Sequence, residues 1–103
     1  MAKLPLRTRQ DFFDTLLETA KEAGRLASKT PGYPPYESID RQLKAMQSMT
    51  AQGRTPTEDE RDGISIGLIA ARELDPQASD DMADFIDRLH ELNGYFREWP
   101  SDP

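Results

Sequence analysis

A chain of 103 residues with 36% hydrophobic and 31% charged residues has the size and composition of one soluble globular domain with a single modest core. It contains no cysteine, which excludes disulfides, thiolate nucleophiles and cysteine-ligated zinc or iron–sulfur centres. Its net charge of −6 is unevenly divided: residues 1–55 carry nine Lys/Arg against six Asp/Glu, and residues 56–103 carry four against thirteen. The acidic second half repels phosphate backbones and suits a basic protein surface better than a nucleic acid.

Met1 to Gln10 has no apolar stretch behind its basic residues, so no export signal is expected. The longest apolar run, Ile64 to Ala71, is interrupted at Ser65 and Gly67 and falls well short of the roughly 20 residues that a bilayer span requires. These features predict a cytoplasmic protein without membrane contact.

In chain order, the first helix is predicted over 9–28. Phe13, Leu16, Leu17, Ala20, Ala27 and either Ala23 or Gly24 recur at three and four residues, giving one apolar stripe. Thr8 and Asp11 form a capping-box pattern, and Lys29 complements the negative C-terminal end. The run Thr30-Pro-Gly-Tyr-Pro-Pro35 is a loop, because proline removes backbone donors and forces its predecessor to extend. A second helix is predicted over 35–52, with Pro35 in its first turn, a stripe of Tyr36, Ile39, Leu43, Met46, Met49 and Thr50, and Gly53 as C-cap.

Thr57-Glu-Asp-Glu60 is a second capping box with three acids at a helix start. Read without a turn signal between Glu60 and Ile64, the spacing predicts one helix over 58–74, apolar on most sides and therefore enclosed by protein. Gly63 and Gly67 let neighbouring helices approach. Asp75-Pro76 ends it. A last helix over 77–93, capped by Asp75 or Ser79, carries Met82, Phe85, Ile86, Leu89, Leu92 and Phe96 inward and Asp80, Asp81, Asp84, Asp87 and Glu91 outward. Asn93-Gly94 ends or weakens this helix, and residues 1–8 and 97–103 are expected to be flexible ends. The predicted fold class is all-α: a compact antiparallel four-helix bundle with the third helix buried at its centre.

Little of this sequence supports catalysis. Asp84, Asp87, His90 and Glu91 share a helix face, but no paired Glu-x-x-His pattern exists, and a solvated acidic face accounts for them. No Gly-x-Ser-x-Gly elbow surrounds any serine, and Gly63-Ile-Ser-Ile-Gly67 lacks the pattern of a phosphate loop. No catalytic residue, cofactor or metal is expected. Binding to protein is the remaining class, for which Tyr33, Tyr36, Tyr95 and Trp99 are aromatic anchors beside charge. Arg41 and Arg72 serve equally well as ion-pair partners for Glu37, Glu73 or Asp75.

Three words of the sequence, Pro31-Gly-Tyr33, Ser38-Ile-Asp-Arg-Gln-Leu43 and Ile64-Ser-Ile-Gly-Leu-Ile-Ala-Ala-Arg-Glu-Leu-Asp75, resemble the small helical immunity proteins of type VI secretion. These protect bacteria against an interbacterial effector that hydrolyses NAD(P). The resemblance implies an antitoxin that forms a one-to-one complex with a cognate effector toxin domain and covers its active-site cleft. The toxin it implies acts on nucleotides, as an NAD(P) hydrolase or a nucleotide pyrophosphokinase, through a basic, nucleotide-binding cleft. A regulatory or scaffolding helical domain is the alternative. The partner-binding residues expected on this reading are Tyr33, Tyr36, Glu37, Asp40, Glu73, Asp75, Asp80, Asp81 and Asp84, whose carboxylates would stand in for substrate phosphates.

Overall fold

The computed structural model describes residues 6–100, and all the regular structure among them is helical. The elements are α1 (Arg9–Lys29), α2 (Pro34–Met49), a 3-10 turn (Ala51–Gly53), α3 (Glu58–Asp62), α4 (Ile66–Glu73) and α5 (Asp80–Glu98). Helices α1, α2, α4 and α5 form the body, and α3 is little more than one turn. Helix α1 packs on α2 and α5, α4 packs on α5 and α2, and α3 touches α5.

The first capping box forms as expected: the Asp11 amide donates to Thr8 Oγ1 at 3.1 Å and the Thr8 amide to Asp11 Oδ2 at 3.2 Å. The buried face of α1 nevertheless differs from the predicted stripe. Phe12, Leu16, Thr19 and Ala23 face inward, whereas Leu17 is 53% exposed. The helix is turned by about one residue because Phe12 completes an aromatic cluster and Thr19 meets a buried arginine of α5.

Helix α2 starts on Pro34 and Pro35, in the first turn where no amide donor is lost. It buries Ile39, Leu43 and Met46. It ends at Met49, three residues before the predicted limit, where the Thr50 hydroxyl donates back to the Met46 carbonyl at 2.8 Å. Gln52 and Gly53 then take left-handed backbone angles, φ 58° and φ 79°, which reverse the chain.

The single helix expected over 58–74 is two helices. The Thr57–Glu60 capping box forms, and Arg54 clamps Glu60 through two bonds of 2.8 and 2.7 Å. Helix α3 nevertheless stops at Asp62. The break swings Ile64 and Ile66 into the core, where they are 5% and 0% exposed. Two side chains from neighbouring helices hold the new helix start. Gln42 of α2 accepts from the Ser65 amide at 2.7 Å and donates to its hydroxyl at 3.2 Å. Asn93 of α5 accepts from the Gly67 amide at 3.0 Å. A Cβ at Gly67 would stand 3.3 Å from the Asn93 side chain, so glycine sets this close approach. Helix α4 is also not enclosed on most sides: Ile66, Gly67 and Ala70 are buried, but Leu68 is 55% exposed. The helix that buries the most residues is α5, with Phe85, Ile86, Arg88, Leu89, Leu92, Tyr95 and Phe96 inward.

Asn93-Gly94 does not end α5, which continues to Glu98. Residues 97 and 98, expected in a flexible end, are helical, and Trp99 then closes the helix at φ 41°. The Trp99 ring meets Phe12 edge-on at 5.3 Å and lies under the Arg9 guanidinium at 3.9 Å. Arg9 also donates to the Pro100 carbonyl at 2.7 Å, which ties both ends of the described chain together. Of the ends expected to be flexible, residues 1–5 and 101–103 lie outside the described residues. One core joins α1, α2, α4 and α5, and each fully buried large apolar side chain contributes about 1.5–3 kcal/mol.

Candidate functional site

Four of the nine residues predicted to bind a partner come together at one place. The Pro31-Gly-Tyr33 loop turns at Gly32, whose φ of 83° suits glycine. The Glu37 carboxylate accepts from the Gly32 amide at 3.2 Å, so Glu37 fixes the loop from the first turn of α2. The turn delivers Tyr33 to the C-terminal end of α4, where its hydroxyl donates to the Glu73 carbonyl at 3.2 Å. Tyr36, in the first turn of α2, meets Tyr33 edge-on with ring centroids 4.9 Å apart. With Thr30, Glu73, Leu74, Asp75, Ala78 and Met82, the two tyrosines line a cleft of about 290 Å³.

The electrostatics of the cleft follow from its parts. No basic side chain lines it. The Glu73 carboxylate extends from an exposed residue, and the Asp75 Oδ1 accepts only from the Gln77 amide, at 2.9 Å. The carbonyl end of α4 adds its negative dipole. Burial, and secondarily the phenol of Tyr33, push the Tyr36 hydroxyl above the ordinary value of 10.0, so Tyr36 is neutral near pH 7. Arg41 and Arg72 are exposed, and neither makes the ion pair expected with Glu37, Glu73 or Asp75 among the described residues.

The other predicted residues lie outside the cleft. Asp40 faces α1 across a separate depression of about 520 Å³, which Glu37 also lines, and it pairs with Lys44 at 3.0 Å. Asp80 and Asp81 are exposed in the first turn of α5, beside Met82. Helix α5 is capped there by Ser79, whose hydroxyl accepts from the Met82 amide at 3.0 Å; Asp75, the other predicted cap, serves the turn before it. Asp84 is committed to Arg88 at 3.2 Å. Of the aromatic candidates, Tyr95 is buried at 7% exposure and Trp99 packs on the core.

Sequence reasoning missed the most buried charge of the described chain. Arg88 is 3% exposed and sits between helices. It bonds the Glu22 carboxylate, the Thr19 hydroxyl at 3.3 Å and Asp84, with Glu18 at 3.7 Å. The available signal was its place between Phe85 and Leu89 on the apolar stripe, opposite a threonine on that of α1. Met82 and Leu74 were read as core, yet they also floor the cleft. Met82 lies in the first turn of its helix, where fewer neighbours cover a stripe residue.

No helix among the described residues is long and apolar enough to cross a membrane. Nor do the described residues contain a group of three or more His, Asp or Glu able to hold a metal ion.

Residues 8–98 match a family of type VI secretion immunity proteins. That family is Tsi6, and the chain belongs to it. The match begins at the Thr8 cap and ends with the last residue of α5. Membership carries with it binding to a cognate effector protein. No curated protein and no solved structure matches the chain.

Proposed function

We propose that this protein is the cytoplasmic antidote to a type VI effector toxin domain that acts on nucleotides, and that it works by covering that domain's active-site cleft in a one-to-one complex without catalysis of its own. The family match over residues 8–98 carries the reading. Charge supports it. A cleft that binds nucleotide phosphates is electropositive, and this chain places thirteen of its nineteen carboxylates in residues 56–103, with Asp80 and Asp81 exposed at one end of α5. Such a surface raises the rate of encounter with a basic cleft and allows carboxylates to occupy phosphate positions.

The test is co-expression with the toxin domain of the cognate effector. Growth should be restored, and the cellular NAD(P) and nucleoside triphosphate pools preserved, when the two proteins are present in equal amounts. Continued growth arrest with this protein in molar excess would rule the reading out.

A further inference from the structure

We infer that the cleft between the Tyr33 loop and the end of α4 is a receptor for one cationic side chain of the effector, an arginine or lysine clasped between two tyrosine rings and two carboxylates. The inference rests on the proposed immunity function for its partner and on the geometry for its chemistry. Tyr33 and Tyr36 meet edge to face at 4.9 Å, so their rings present differently oriented π faces, which attract a cation. Glu73 and Asp75 line the same cleft. The negative end of α4 points the same way, and Tyr33 is held against it by its bond to the Glu73 carbonyl. Glu37 braces the loop at Gly32, so the rings are positioned before a partner arrives.

The volume of about 290 Å³ accommodates a long side chain and is too small for a folded segment. Apolar Leu74 and Met82 in the same cleft match the methylene stem of such a side chain, while the head reaches the carboxylates at the rim. Among the described residues, no arginine or lysine of the chain itself fills this place. Charge complementarity therefore selects a basic group, and the aromatic pair favours a guanidinium, which stacks as well as pairs.

Two measurements test the site, the first on the protein alone. In amide-resolved NMR spectra, N-acetyl-arginine amide added to about 50 mM, a range suited to millimolar affinity, should shift the amides of Tyr33, Tyr36, Leu74 and Ala78. The same amount of N-acetyl-glycine amide should not. Equal shifts with both, or none with either, would overturn the inference whatever the toxin does.

The second measurement is binding of the toxin domain by surface plasmon resonance. Glu73→Gln with Asp75→Asn, and separately Tyr36→Leu, should weaken binding at least about tenfold, mainly through faster dissociation. Asp62→Asn with Glu98→Gln removes the same charge from exposed positions outside the cleft, Asp62 at the end of α3 and Glu98 at the far end of α5, about 24 Å from Met82 by helix rise, and should change dissociation less than about twofold. Tight toxin binding that survives all the cleft variants would sink this inference and leave the immunity function standing. Absence of toxin binding by the wild type, with arginine-specific shifts intact, would sink the function and leave the cation site. Thermal melts of each variant identify any that fail to fold, and for these the free-protein titration of the wild type decides.

Discussion

At the scale of single residues, Arg88 and Tyr36 make the sharpest claims. Arg88 is buried, whereas Glu22, Asp84 and Glu18 retain 16%, 45% and 68% side-chain exposure. Removing the arginine therefore leaves acids that can partly rehydrate. Arg88→Ala should cost about 2–4 kcal/mol, from the opened cavity and the unpaired Glu22, whereas Arg88→Met should cost about 1 kcal/mol because it fills the space. Urea denaturation of the two variants measures the difference; equal losses would mean that charge, not packing, dominates there. Tyr36 yields a pH prediction. Its folded value is raised above 10.0 by burial, so the folded state holds the phenolic proton longer than the unfolded chain. Its contribution is complete below pH 10.0 and is lost as the pH climbs from there through the folded value. Tyr36→Phe should therefore lose less stability than the wild type on moving from pH 9 to about pH 11, as followed by thermal melts. Parallel decline of the two proteins would contradict the burial assigned to this hydroxyl.

At the scale of elements, the break between α3 and α4 shows what local sequence could and could not reveal. Both capping boxes, the proline loop and the α5 stripe are visible because their partners lie within a few residues. The interruption at Gly63–Ser65 has a local sign in Asp62-Gly63, but what stabilises it is out of local reach, because its compensation comes from Gln42 and Asn93, 23 and 26 residues away in the chain. For the same reason Asn93-Gly94 reads as a helix end when in fact Asn93 caps another helix. The cleft was half legible: Tyr33, Tyr36, Glu73 and Asp75 stood out as aromatic or acidic residues at loop edges, but only the fold shows that they share one hollow and that Asp40 and Asp84 do not. Asn93→Ala should cost about 1–2 kcal/mol, by leaving the Gly67 amide without its acceptor. It should also speed hydrogen exchange in the first turn of α4 ahead of that in α1. Uniform acceleration across the protein would mean that the bond does not act locally.

For the whole molecule, the uneven charge is the property that reaches beyond the fold. Of the twelve described basic residues, Arg88 is held in the core, Arg9 over Trp99, Arg54 on Glu60 and Arg61 on the Arg97 carbonyl at 3.2 Å. Asp80 and Asp81 remain exposed at the start of α5. Asp80→Lys with Asp81→Lys should slow association with the toxin domain about tenfold at low salt and much less at high salt, while leaving dissociation nearly unchanged. An unchanged association rate at low salt would remove steering from the account. The central claim is tested most directly by titrating purified protein into the toxin domain while the nucleotide consumption proposed for that domain is followed. The account predicts a linear fall to zero at one equivalent; activity that persists at several equivalents would contradict it.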